Sequence, residues 1–326
     1  MSNIEISFII PYFNDHPFLE ECLSSIRAHC SVPYEIIVVD DASPDTSALQ
    51  AMDAPDLCVI LKRERSGPAQ SRNMGIEKAQ GRFLMFIDSD DMLEADPAKI
   101  LSDARKLGVL ETADMLAGFV ANRPARLRLL RKAPFTGTLE SEPVLMRLHY
   151  FTTALYRREM ILQKQLRFPE SLRSGEDLLF LTQSLAAARQ VLVTRHQIYH
   201  YRQRPGSLTQ QAIKVIDPGK RMEMLEGIAT TLAPFPAAKA LRCLSALRNN
   251  LEDIDKVTET NRAIELCDAL ADWATEHLGD DNAITACLQS GLADWDAGDQ
   301  RVLDAMRAGM RGQSLHTLAV ARRGAT

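Results

Sequence analysis

The amino-acid sequence predicts an α/β chain: a doubly wound, mostly parallel sheet, followed by an α-helical C-terminal region. Three observations lead there. The first hundred residues alternate short apolar runs with stretches of helical spacing, the pattern of βαβ units. Each run ends in polar residues, which collects those residues along one sheet edge. Beyond about Asp217, apolar positions recur every three or four residues and no strand pattern returns.

In chain order, "IEISFIIPYFN" is an almost wholly apolar run, as expected of a strand buried on both faces. "PFLEECLSSIRAHC" follows with Phe18, Cys22 or Leu23, and Ile26 at helical spacing. "YEIIVVDDAS" reads as a second buried strand, then a Ser-Pro-Asp turn, then "DLCVILKRE" as a third strand. "GPAQSRNMGIEKAQG" predicts a helix with Pro68 in its first turn and Gly81 just past its end. "RFLMFIDSDD" closes the series as a fourth strand. Residues 95–200 are mixed: Asp96-Pro97 is a helix start, and "VLVTRHQIYHYRQR" is a strand or hairpin. The segments "KRMEMLEGIATTL", "AKALRCLSALRNNL" and "NRAIELCDALADWATEHL" are amphipathic helices. The expected division is 1–212 for the sheet-bearing part and 213–326 for the helical region.

Composition narrows the class. A formal net charge of −5 over 326 residues excludes a basic nucleic-acid-coating protein. Six cysteines, at 22, 30, 58, 243, 267 and 287, form no CxxC pair, so reduced thiols in a cytosol are the simplest reading. The start MSNIEISFII lacks the positive charge of a signal peptide, and no apolar segment approaches the roughly 20 residues that cross a bilayer. A cytoplasmic protein is expected.

Parallel sheets bind ligands beyond the carboxyl ends of their strands. Pro11, Tyr12 and Asn14 follow the first strand, Asp40 and Asp41 the second, and Asp88, Asp90 and Asp91 the fourth. In an extended strand end, residues two apart share a face, so Asp88 and Asp90 point the same way. Two hard oxygen donors suit Mg²⁺ or Mn²⁺ completed by substrate phosphates. The plain alternative is an acidic turn.

Taken together, "SFIIPYFN", "EIIVVDDAS" and "GPAQSRNMGIEKAQGRFLMFIDSDD" resemble the nucleotide-sugar domain of family 2 glycosyltransferases, with its GT-A fold. "SGEDLLF" at 174–180 and "YHYRQRPGSLT" at 199–209 continue the resemblance. It implies a nucleotide-sugar-binding and catalytic domain over 1–212. Pro11 and Tyr12 would then line the base, with Asn14 in the same donor-binding set. Asp40 would accept hydrogen bonds from the base or ribose, Arg72 would reach the base or a phosphate, and Asn73 would shape that wall. Asp88 and Asp90 become the ends of a DxD motif holding a divalent metal, Mn²⁺ or Mg²⁺, and Asp91 lies beside the donor sugar. Asp177 becomes the base that deprotonates the acceptor, with Glu176 as its orienting neighbour or the alternative base; Ser174 and Asp177 also fit a helix capping box. Arg202 and Ser207 would meet the diphosphate from a loop that Gly206 makes flexible, with Arg204 a second phosphate partner. His200 is either a metal ligand or a packed strand residue. Relatives carry His where this chain has Arg204, which leaves a third protein ligand unassigned.

The basic stretch "NRPARLRLLRKAP" is either a solvated face or a patch over 123–132 that rests on an anionic membrane or grips an anionic glycan. The resulting expectation is a metal-assisted inverting glycosyltransferase using a nucleotide sugar, a UDP-sugar, and a glycan or lipid-linked glycan acceptor in surface-polysaccharide assembly. It is placed in the cytoplasm, with peripheral contact at the inner membrane face if the basic patch binds lipid. The rival is a non-catalytic nucleotide-sugar-binding or scaffolding protein, against which the intact Asp88, Asp90 and Asp177 speak. A dinucleotide oxidoreductase would need GxGxxG where this chain has "PYFNDH". An aspartyl-phosphate phosphotransferase would place its acidic pair after the first strand. No motif specifies the sugar, the linkage or the oligomeric state.

Overall fold

The computed structural model describes residues 3–122, 129, 132–172, 174–203, 217–254, 257, 259–279, 282–289 and 297–322. The chain divides into two compact units. The first comprises Met1–Thr138, Arg147–Glu170 and Glu176–Gln203; the second comprises Leu139–Met146, Ser171–Gly175 and Arg204–Thr326. The division expected at 212/213 falls among residues 204–216, outside the described residues.

The first unit is built on a nine-stranded sheet. In chain order its elements are β1 (Ile6–Tyr12), α1 (His16–His29), β2 (Tyr34–Asp40), α2 (Ser47–Gln50), β3 (Leu57–Leu61), α3 (Pro68–Lys78) and β4 (Phe83–Phe86). Then come β5 (Met92–Leu93), α4 (Ala98–Lys106), β6 (Met115–Val120), β7 (Phe135–Gly137), β8 (Ala154–Arg157), α5 (Arg158–Gln163), α6 (Glu176–Ala187) and β9 (Val191–His200). The strand order is β3-β2-β1-β4-β8-β6-β9-β5, with β7 also paired to β9. The four strands read from the sequence are parallel. Beyond β4 the sheet is mixed: β8 runs antiparallel to β4 and β6, while β6 and β9 are parallel. The strand alternative for 191–204 holds as far as His200.

Burial explains the apolar runs. All seven residues of β1 and all four of β4 are buried, which selects branched and aromatic side chains on both faces. Helix α1 buries Leu19, Cys22, Leu23 and Ile26, so Leu19 rather than Phe18 takes the first core place. Helix α3 starts at Pro68 behind Gly67, whose φ of 93° is a conformation open to glycine. It lies so close to β1 that a Cβ on Gly75 would come within 2.3 Å of Ile9 Cγ2. That contact fixes Arg72 and Asn73, one turn earlier, at the carboxyl edge of the sheet.

The second unit carries α7 (Pro218–Thr231), α8 (Pro236–Ile254), α9 (Thr260–His277), α10 (Asn282–Gln289), α11 (Ala297–Arg307) and α12 (Gly312–Ala321). Its core draws on Leu241, Leu244 and Leu247 of α8, Leu266 and Leu270 of α9, and Val302 and Leu303 of α11. Asp299, buried, lies 3.3 Å from Arg248 Nε and 3.6 Å from Arg322 Nε. All six cysteines are free thiols. Among the described residues, no helix is long and apolar enough to cross a membrane.

Candidate active site at the carboxyl edge of the sheet

The order 3-2-1-4 reverses the winding between β1 and β4, and such a reversal opens a crevice beyond the carboxyl ends of the two strands. Three turns meet this edge. Tyr12 and Asp40 are paired at the ends of β1 and β2, and Ile87 follows β4 with its N–H on Ile9 O.

The turn after β2 is satisfied from within. Asp40 is fully buried; its carboxylate accepts from Ser43 N–H at 3.1 Å and from Ser43 Oγ. Ser43 Oγ in turn accepts from Asn14 N–H at 2.8 Å, and Asn14 is exposed with a φ of 48°. Asp41 accepts from Lys62 Nζ at 2.6 Å and from the N–H groups of Ser66 and Gly67, both at 2.9 Å. Burial raises the Asp41 carboxyl, but Lys62 and the two backbone donors bring it below its usual range. Pro11 and Tyr12 are buried at the strand end.

The turn after β4 is organised differently. Asp88, Ser89 and Asp90 are half-exposed, whereas Asp91 is buried with 2% of its surface exposed. Asp88 Oδ1 accepts from Arg72 Nη2 at 2.7 Å. Asp91 accepts on both oxygens: from the Tyr199 hydroxyl at 2.5 Å and from Arg202 N–H at 2.7 Å. Arg202 lays its guanidinium 4.9 Å from the Phe18 ring centre and donates through Nε to Asp90 O at 2.8 Å and through Nη2 to Glu21. Burial, then the charges of Asp88 and Asp90, push the Asp91 carboxyl up to about 8. The Cys22 thiol, buried beneath, is driven well up by burial and by all three aspartates. Three acidic side chains thus crowd one turn, with Arg72 and Arg202 as the cations beside it.

Arg72 connects this turn to the "SGEDLLF" segment. Its side chain is buried, donates through Nη1 to Glu176 Oε1 at 3.1 Å, and lies against the rings of Phe151 and Phe168 at 4.8 and 5.2 Å. Burial opposes its charge, but Asp88 and Glu176 override that and keep it firmly protonated. Glu176 is buried and Asp177 half-buried at the first turn of α6. Burial and the neighbouring Glu176 raise the Asp177 carboxyl to about 6, with Arg72 pulling it back. Asn73 braces the same wall, donating to Phe168 O at 2.9 Å and accepting Phe168 N–H at 2.8 Å. Beneath lie Phe86, Tyr156, Phe168 and Phe180, the last two stacked with ring centres 3.9 Å apart.

The structure therefore joins Arg72, Asp88, Glu176, Asp91 and Arg202 in one network and places Asp40, Asn14 and Tyr12 on the neighbouring turn. Ser207 and Arg204, and the arginines at 123, 126, 128 and 131, lie outside the described residues. His200 does not face the acidic turn alone: its ring nitrogens sit 3.1 Å from Glu94 Oε2 and 3.3 Å from Asn122 Nδ2. Tyr199, which the motifs do not single out, is the residue the sequence reading missed. Its only signal was strand alternation, which placed it opposite His200 without naming a partner.

Asp88 and Asp90 offer hard oxygen donors, the kind that suits Mn²⁺ or Mg²⁺. Among the described residues, no three acidic, histidine or cysteine side chains form a closed metal cage. An ion here would draw its remaining oxygens from water or phosphate.

Comparison with known proteins gives the context. The model of the family described as Glycosyl transferase family 2 matches residues 7–162. A Bacillus subtilis protein named as the uncharacterized glycosyltransferase EpsJ is 30% identical over 218 residues, 63% of this chain and 63% of its own length. The succinoglycan biosynthesis protein ExoO of Rhizobium meliloti is 27% identical over 297 residues, 84% of each chain. Among solved structures, residues 1–349 of Staphylococcus aureus TarS in complex with UDP-GlcNAc superpose with a TM-score of 0.76 at 21% identity. That match covers 98% of this chain and 92% of the other, and it establishes the GT-A-like fold with its helical C-terminal region. TarS is described as a poly(ribitol-phosphate) beta-N-acetylglucosaminyltransferase. Over residues 7–162, just under half of the chain, the sequence matches glycosyltransferase family 2, in agreement with its sheet and its acidic turn.

Proposed function

We propose that the protein is an inverting glycosyltransferase that moves a sugar from a nucleotide donor, a UDP-sugar, to a glycan or lipid-linked glycan, assisted by Mn²⁺ or Mg²⁺. One observation carries this reading. Arg72 holds Asp88 of the acidic turn and Glu176 beside Asp177 with one guanidinium, across 104 residues of chain. An acidic turn and the segment whose Asp177 carboxyl is raised to about 6 thereby meet at one guanidinium, which supports a donor site beside a base. The names of the relatives, a succinoglycan biosynthesis protein and an N-acetylglucosaminyltransferase solved with UDP-GlcNAc, support the class of donor and acceptor.

In this reading Pro11, Tyr12, Asn14 and Asp40 receive the nucleoside. Asp88 and Asp90 would hold the metal, whose charge would offset that gathering on the leaving diphosphate. Arg202 and Ser207 close over the phosphates, and Asp91 supports the donor side. Asp177, as carboxylate, takes the proton from the acceptor hydroxyl. That oxygen bonds to the anomeric carbon from the face opposite the diphosphate, whose C–O bond breaks with its electron pair, inverting the centre. Residues 1–212 form the catalytic part, 213–326 the helical region, and the work is done in the cytoplasm.

The test is thermal denaturation with UDP, UDP-GlcNAc and GDP-mannose, each with and without Mn²⁺. A true ligand at about 100 times its Kd stabilises the fold by about 2.7 kcal/mol. The expected result is stabilisation by UDP and a UDP-sugar that depends on the metal. No shift with any of them overturns the proposal.

A further inference from the structure

We infer that Tyr199 is a positioning residue for the acidic turn: its hydroxyl pins Asp91 and Asp88 to strand β9, and so sets where the carboxylates of Asp88 and Asp90 stand. The inference rests on the donor-binding reading above and assigns a job to a residue to which the resemblance gave no role.

The geometry is specific. Tyr199 is fully buried, and a buried phenol needs partners for its oxygen. It uses both capacities, donating to Asp91 Oδ2 at 2.5 Å and accepting Asp88 N–H at 3.2 Å. The other Asp91 oxygen accepts Arg202 N–H, and Arg202 Nε reaches Asp90 O. Tyr199 of β9 and Arg202 just beyond the strand thus hold the turn at the backbone of Asp88, the backbone of Asp90 and the side chain of Asp91. None of these contacts uses the carboxylates of Asp88 or Asp90. The pairing of Leu93 with Tyr199 and of Met92 with His200 brings the two segments into register.

This arrangement also explains why an aspartate follows Asp90. Two donors, the phenol and the Arg202 N–H, converge on the two oxygens of one side chain. A carboxyl group supplies both oxygens; an asparagine amide offers one oxygen and an NH₂ that clashes with the second donor. Asp91 therefore acts from behind the turn and works through its neighbours.

The experiment is calorimetric titration of UDP at several Mn²⁺ concentrations into the wild-type protein, Tyr199→Phe, Asp91→Asn and Thr194→Val. Phenylalanine refills the core space and removes only the hydroxyl. Thr194, also on β9 and fully buried, donates to Ala117 O at 3.1 Å, away from the turn, and controls for loss of a buried hydroxyl. The expected result for Tyr199→Phe is at least about tenfold weaker UDP binding, recovered by raising Mn²⁺, because misplaced ligands lower metal occupancy. Asp91→Asn gives the same signature and serves if Tyr199→Phe does not fold. Thr194→Val keeps wild-type affinity at every Mn²⁺ concentration. Wild-type affinity and metal dependence in Tyr199→Phe, or an equal loss in Thr194→Val, overturns this inference alone. A wild-type protein that binds no UDP at any Mn²⁺ concentration overturns the donor-binding reading, and the inference with it.

Discussion

Two acidic turns sit side by side on the same sheet edge, and they have been neutralised in opposite ways. At Asp40 and Asp41 the protein supplies its own partners: Ser43 for the first, and Lys62 with two backbone N–H groups for the second. Asp41 ends up more acidic than usual. At Asp88, Asp90 and Asp91 one buried guanidinium serves Asp88 and is shared with Glu176. Arg202 spends its side chain on a carbonyl and on Glu21. Asp91 ends up at about 8. What separates the turns is which partners the fold supplies to each carboxyl group. In the proposed reading a cation would add to those partners at the second turn.

The largest test of that contrast is Asp90→Ala. Metal-dependent UDP binding, followed by calorimetry with and without Mn²⁺, should vanish while the fold survives. Unchanged affinity in the presence of Mn²⁺ would move the cation elsewhere and erase the difference between the turns.

Asp177→Asn comes next. Removing a general base typically costs about 10²–10⁴-fold in rate, and UDP binding should persist because the amide still fits beside Glu176. The pH profile adds a second reading. In the proposed role Asp177 works as a carboxylate, and burial with Glu176 raises it to about 6, so kcat/KM should rise with pH up to about 6 and be flat above. The asparagine variant should lose that rising limb; an intact limb would assign it to another group.

Asp41→Asn addresses the finished turn. Lys62 has 5% of its side chain exposed and would be left buried without its counter-charge. Breaking such a pair costs about 3–5 kcal/mol in stability, readable by urea unfolding. The sign with pH also follows. A carboxyl held below its ordinary 3.8 contributes stability above that pH and loses it as pH falls through the lower folded value. Wild-type stability should therefore drop on acidification below about pH 4, and the variant should drop less. Folded Asp41→Asn protein keeps metal-dependent UDP binding, because in the proposed reading Asp40, not Asp41, meets the nucleoside; losing it would place Asp41 in the donor site as well.

The contrast also explains what the sequence could disclose. Strands β1 to β4 and helix α3 are legible because each is long or apolar enough to declare itself locally, and Pro68 and Gly81 bracket the helix. Strands β5, β7 and β8, of 2, 3 and 4 residues, are not. They exist because β4, β6 and β9 offer them a ladder, a long-range effect with no local pattern. Phe18 and Leu19 fit the same helical spacing, and only packing decides that Leu19 goes inside while Phe18 supports Arg202. The acidic residues of the site were legible as residue types in the right order. Their division of labour was not, since Arg72 meets Glu176 across 104 residues and Tyr199 meets Asp91 across 108. Sequence spacing names the ligands; the fold decides which of them are already spent.

His200 is where the comparison predicts the least. Its ring is half-buried, with Glu94 and Asn122 already within hydrogen-bonding distance. A partly exposed pair of this kind contributes about 0–1 kcal/mol. His200→Gln should lower stability by no more than that and leave the Mn²⁺ dependence of UDP binding unchanged. The reason is the one that separates the two acidic turns: a group whose partners come from its own fold has little left for a ligand. If His200→Gln instead raises the Mn²⁺ concentration needed for binding, the imidazole leaves Glu94 for the ion when donor arrives. Charge balance in the unliganded fold would then no longer predict which residues the ligand recruits.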